Sequence, residues 1–115
     1  MPLDESFKDF VLDQLGALDG VRAKRMFGGF GLYAHLRQGS SGQAGEVFFG
    51  IVSNDTLYLK TDERTRVRYV EAGMKPFQPS PKQTLKNYYE APADVLENPE
   101  ALLEWASEAI EVAAP

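Results

Sequence analysis

Between Lys24 and Tyr33 the chain reads KRMFGGFGLY, two cations followed by three glycines set among two phenylalanines, a methionine and a tyrosine. Three kinds of chemistry use such a run. Backbone amides can wrap a phosphate, aromatic rings can be offered to nucleic-acid bases, or glycines can close a hairpin. A phosphate loop must open a helix, so that free amides and the helix dipole converge on the anion. Gly28, Gly29 and Gly31 fit neither the loop ending in Lys-Ser/Thr nor the G-x-G-x-x-G fingerprint, and they lead into a strand-like pattern.

The segment GFGLY looks superficially like the aromatic strand of an RNA-recognition motif. Gly28 stands where that signature has a basic residue, Leu32 stands where it has a ring, and the chain opens with a helix rather than a strand. The hairpin has a direct physical reason. Gly28 and Gly29 supply the positive φ angles that a primed two-residue turn requires. Gly31 falls inside the next strand, where a side chain would collide with a neighbour or where the sheet bends. The three glycines are expected to be structural turn residues.

Reactive groups that converge are hard to find. The single histidine, His35, has no cysteine and no second histidine to share a metal, so no catalytic residue, metal site or cofactor is expected. The serines follow no nucleophile-elbow pattern. Asp55 and Asp62 read as turn and cap. Pro76-Phe77-Gln78-Pro79 has the form of a PxxP ligand but reads as a rigid connecting loop. Tyr33, Phe48, Tyr58, Tyr88 and Tyr89 form an aromatic surface if helices leave one face of a sheet bare, and core packing otherwise.

The elements that must position these residues follow from periodicity. Asp4 to Leu18 reads as a helix with Phe7, Phe10, Val11, Leu15 and Leu18 on one stripe, started by Asp4 or Ser6 and followed by Gly20. Strands are expected near Val21–Phe27, Phe30–Leu36, Glu46–Val52 and Thr56–Lys60, the last two joined by a turn at Ser53-Asn54-Asp55. Phe30, Leu32, Ala34 and Leu36 alternate onto one face, with Tyr33 and His35 on the other. Thr61 or Asp62 caps a second helix running to about Ala72, ended by Gly73. GMKPFQPSPK reads as a loop and Gln83–Tyr89 as a fifth strand. Asn98, Pro99 and Glu100 start a final helix that places Leu102, Trp105, Ala106, Ala109, Ile110 and Ala113 on one side. Arg37–Gly45, RQGSSGQAG, reads as a long hairpin loop. The expected fold is α+β and two-layered: an antiparallel sheet of about five strands with helices on one face, in the order α-β-β-β-β-α-β-α.

At 115 residues with 43% hydrophobic and 25% charged side chains, the chain has the composition of one globular domain, 1–115. It contains no cysteine, which fits a cytoplasmic location, and its N-terminus has no secretory pattern. No apolar run is long enough for a bilayer, so no membrane partner is expected. The net charge of −5 opposes general affinity for nucleic acid. The charge is unevenly spread. Gly20 to Gly45 holds Arg22, Lys24, Arg25 and Arg37 and no acid, while Glu90 to the end holds Asp94, Glu97, Glu100, Glu104, Glu108 and Glu111 and no base.

MFGGFGLY, LYLKTDERTR, GMKPFQPS and NYYEAPADVLENPEALLEWASEAIEVA, taken in that order, resemble the N-terminal domain of the TfoX (Sxy) family over Met26 to Ala113. Longer members of that family are bacterial regulators of DNA-uptake competence that act with the cyclic-AMP receptor protein and carry a second, C-terminal domain. The resemblance implies a small α/β fold, no established catalytic residues and a role in transcription regulation. The chain stops where the second domain would begin, and 37–45 is longer than a tight hairpin. The expected function is therefore a non-enzymatic regulatory or interaction domain, monomeric or homodimeric, acting through a protein partner such as a transcription factor, with weak or absent DNA binding of its own. Its candidate interaction surface is Arg22, Lys24, Arg25, Tyr33 and Arg37. The alternatives are direct nucleic-acid binding by the basic hairpin, through Arg22, Lys24, Arg25 and Arg37, and an uncharacterised small-ligand or enzymatic role.

Overall fold

The computed structural model describes residues 5–16, 18, 20–26, 29–36 and 45–114. Six strands form one antiparallel sheet: β1 (Arg22–Met26), β2 (Gly29–Leu36), β3 (Gly45–Ser53), β4 (Thr56–Lys60), β5 (Pro76–Ser80) and β6 (Gln83–Glu90), in the spatial order β1-β2-β3-β4-β6-β5. Four helices accompany them: α1 (Ser6–Gln14), α2 (Arg66–Glu71), α3 (Ala93–Leu96) and α4 (Pro99–Ala113). The architecture is α+β with an open antiparallel sheet, in the expected order of elements.

The helices bury one face of the sheet. Val11 of α1 and Leu15 just after it, Tyr69 of α2 and Leu102, Ala106 and Ala109 of α4 close over Phe30, Leu32 and Ala34 of β2, Phe49 of β3 and Leu57 and Leu59 of β4. The alternation of β2 holds: Phe30, Leu32 and Ala34 point inward while Tyr33 and His35 point away. Between Leu32 and Tyr33 the register of β2 on β3 slips, with Leu32 opposite Gly50 and Tyr33 opposite Phe48. The extra residue, Phe49, goes to the helix side, and the bulge aims Phe48 at the other face.

Local chemistry explains most boundaries. Asn54 and Asp55 both take positive φ, 51° and 56°, giving the two-residue turn between β3 and β4 its primed twist. The Asp62 carboxylate accepts a hydrogen bond from the Thr65 amide at 2.8 Å, and the Thr65 hydroxyl accepts one from the Asp62 amide at 3.0 Å. This reciprocal cap starts the turn that becomes α2, and Gly73, at φ 80°, stops it. Asn98 caps α4 by accepting from the amides of Glu100 and Ala101, with Pro99 in the first turn.

Four expectations change. Helix α1 ends at Gln14, not near Leu18, because the Gly16 and Leu18 amides bond carbonyls three residues back and tighten the chain out of the helix. Its start at Glu5 carries no side-chain cap. Residues 76–80, read as loop, form strand β5, which makes six strands rather than five. Prolines argue against strands because they cannot donate to a ladder. β5 lies at the sheet's edge, pairing with β6 alone and irregularly, where prolines are tolerated. Residues 93–96, which carried no helical expectation, form the short helix α3.

Candidate functional site

The described residues of the candidate surface divide between two faces of the β1–β2 hairpin. Arg22 pairs in register with Tyr33 and Lys24 with Gly31, which places both cations on the face away from the helices. Arg25 pairs with Phe30 and lies on the helix side. Each cation has found a carboxylate. Arg22 grips Glu46 with both Nε and Nη2, the latter at 2.9 Å, and Lys24 Nζ lies 3.6 Å from the same carboxylate. Arg25 Nη2 donates to Glu5 of the chain's start at 3.1 Å. The Arg22 guanidinium, with Lys24 beside it, holds the Glu46 carboxyl below the usual carboxylate range. Lys8 foremost, and Arg25 after it, does the same at Glu5.

Exposed pairs of this kind contribute little to stability, but they remove free positive charge from the surface. The continuous basic patch expected of the hairpin is thus split and locally neutralised among the described residues. Arg37, like Gly28, lies outside the described residues.

Tyr33 has a different setting. Its ring stacks on Phe48 at 5.2 Å between centroids and 27° between planes, and Phe48 in turn meets Tyr88 at 5.4 Å. Tyr58 and Phe77 lie 4.7 Å apart, and Ile51 and Leu85 join them. Lys24 sits 4.7 Å above the Tyr33 ring and Lys60 sits 5.1 Å above Tyr88. This is the aromatic face that the strand pattern allowed for, with Phe77 added and Tyr89 removed. Tyr89 packs on the helix side against Tyr69 at 6.1 Å. The rings are spent on one another. Ile51 is 1% exposed, Phe77 4% and Tyr88 7%, so the face is a second small core and not an open stacking platform. Phe77 was hidden from sequence reasoning because its strand was.

The glycines have spatial reasons. A Cβ at Gly29 would run into the Val52 carbonyl oxygen, and one at Gly31 into Met26 Sδ and the Phe48 ring. Gly29 thus serves close approach of β2 to β3, a reason other than the turn geometry expected of it.

Between the start of α2 and the outer face of α4 runs a polar cleft of about 550 Å³, lined by Asp62, Arg64, Arg68, Glu104, Glu108 and Glu111. Its central groups are already engaged. The Arg68 guanidinium lies 4.0 Å from the Trp105 ring centroid and pairs with Glu108 at 3.2 Å and Glu104 at 3.7 Å. The cluster ties α2 to α4. His35 is exposed on β2, opposite Glu46 in register and beside Gly20. Among the described residues no three His, Asp or Glu side chains come together as a metal site. Among the described residues no helix is long and apolar enough to cross a membrane.

The family model of the TfoX N-terminal domain matches residues 13–113. The chain belongs to the TfoX N-terminal domain family. No curated protein matches the sequence. For a TfoX N-terminal domain, then, the described surface consists of a neutralised hairpin, a self-packed aromatic face and an ionic cleft occupied by its own Arg68.

Proposed function

We propose that this TfoX N-terminal domain is a non-enzymatic regulatory module that works through protein contacts, with a transcription factor as the class of partner its family suggests. Action in the cytoplasm of a bacterium is part of the same proposal, which the family membership supports. The observation that carries this reading is the pairing of Arg22 and Lys24 with Glu46 and of Arg25 with Glu5. A nucleic-acid surface needs cations free to replace counterions at phosphates, and each neutralised cation lowers both the affinity and its salt slope. The remaining charge, −5 overall with an acidic C-terminal helix, repels phosphate further.

The test is fluorescence anisotropy of labelled DNA duplexes over a salt series. The expected affinity near physiological salt is no better than ~10⁻⁴ M, the weak end of non-specific binding. Micromolar binding with a clear salt slope, lost in the double variant Lys24→Glu, Arg25→Glu, would overturn the reading in favour of direct nucleic-acid binding.

A further inference from the structure

Among the described residues, the cations with no ion-pair partner are Lys60, Arg64, Arg66, Lys75, Lys82 and Lys86. Lys8, Arg22, Lys24, Arg25 and Arg68 each hold a carboxylate. The free positive charge therefore lies away from the β1–β2 hairpin, at the opposite end of the sheet, whose last strands are β6 and β5. The stretch from Gly73 to Tyr89 takes in β5 and all of β6 but its last residue. It contains Lys75, Lys82 and Lys86, all exposed, and no acid.

The charge is laid out along a hairpin. Lys82 sits in the turn between β5 and β6, where Ser80 pairs with Gln83, and Lys86 follows within β6. The two residues after Lys86 each draw in a further cation. Arg66 Nη2 donates to the Asn87 amide oxygen at 3.1 Å, and Lys60 Nζ sits 5.1 Å from the Tyr88 ring centroid. The path from Lys82 to Tyr88 is about 20 Å of extended chain. Edge protection does not account for these lysines. β5 is the strand that ends the sheet, it contains no lysine, and Pro76 and Pro79 already blunt it.

The arrangement suits a peptide better than a nucleic acid. The rings beside it are closed off, Phe77 at 4% exposure and Tyr88 at 7%, so no base can stack on them. Arg66 approaches from the helix side of the sheet and Lys60 from the other. A duplex meets one face at a time, whereas an extended peptide sends alternate side chains to both.

We propose that the β5–β6 hairpin, with Lys82 and Lys86 as its principal contacts, receives an acidic, extended segment of the protein partner. This rests on the reading of the domain as a protein-contact module and supplies the chemistry of that contact, carboxylates spaced along a peptide. The contact is exposed and charged, so it is weak and screened by salt.

Fluorescence anisotropy of a labelled decapeptide of alternating glutamate and serine tests it, with the DNA duplexes as the second probe. Peptide binding on the order of 10⁻⁴ M is expected at low salt, weakening as salt rises. Lys82→Glu together with Lys86→Glu should weaken it at least about tenfold. The double variant Lys24→Glu, Arg25→Glu changes the net charge by the same amount and should bind the peptide as the wild type does. Circular dichroism confirms that both variants are folded. No peptide binding at low salt up to ~1 mM, or an equal loss in both double variants, would overturn the proposal. Duplex DNA that binds more tightly than the peptide, and through Lys82 and Lys86, would overturn it in favour of a nucleic-acid surface. DNA binding lost instead with Lys24 and Arg25 would count against the regulatory reading, while peptide binding lost only with Lys82 and Lys86 would still establish the docking surface.

Discussion

A methyl group added at position 29 points at a backbone carbonyl, whereas one added at position 31 points at a thioether and a ring. The difference matters because the Val52 carbonyl belongs to the β2–β3 ladder and cannot retreat without breaking it, while Met26 can change rotamer. Gly29→Ala is therefore expected to cost about 1–3 kcal/mol, and Gly31→Ala clearly less. Thermal unfolding of both variants checks this; a larger loss at 31, or none at 29, would contradict the geometry. The sequence pointed to both positions because glycine among apolar residues is conspicuous. The reason at 29 was not legible, since it lies in how closely a strand more than twenty residues away approaches. The same holds for the hairpin cations. Arg22, Lys24 and Arg25 were visible as a basic run, but their neutralisation depends on Glu46 and Glu5, and no local pattern announces those partners.

Elements were legible wherever a local device fixes them. The Asn54-Asp55 turn, Gly73 and the Asn98-Pro99 start of α4 are all written in a few adjacent residues, and each stands where those residues place it, whereas the Asp62–Thr65 exchange closes a turn and α2 itself begins only at Arg66. β5 was not legible, because its identity comes from pairing with β6 at the sheet's edge and its own prolines argue the other way. α3 is only four residues long, too short to show a period. The end of α4 that packs against α3 depends on one side chain, since Asn98 Oδ1 satisfies two free amides at 3.0 and 3.2 Å. Asn98→Ala should lower stability by about 1 kcal/mol, while Asn98→Asp, which keeps the acceptor and suits the helix dipole, should be nearly neutral. Chemical denaturation of the two variants distinguishes them; equal losses would mean that the cap hydrogen bonds contribute nothing.

At the scale of the whole molecule, the sheet carries a core on each face, and each core holds a buried tyrosine. Tyr69 lies in the large helix-side core at 1% exposure and Tyr88 in the small aromatic cluster at 7%. Burial pushes the Tyr69 hydroxyl well above the ordinary phenol range. Burial, with Tyr33 beside it, pushes Tyr88 up to about 12. Tyr58 is raised as well, by burial first and then by the Glu90 carboxylate. The sign follows from proton counting. Above pH 10 the unfolded chain releases phenolic protons that the folded one retains, so the unfolded state binds fewer protons and stability falls as pH rises. The contribution is intact below the ordinary tyrosine value near 10 and is lost progressively as pH climbs through that value towards 12. The thermal midpoint should thus show no tyrosine-linked fall up to about pH 9 and a decline beyond 10. Tyr88→Phe keeps the ring that stacks on Phe48 but removes the titrating group, so its midpoint should fall less steeply between pH 10 and 12 than that of the wild type. Scanning calorimetry of both proteins across this range measures the difference. Superposable profiles would mean that the cluster around Ile51 and Phe77 opens to water readily, and that the second face of the sheet is a looser surface than its burial implies.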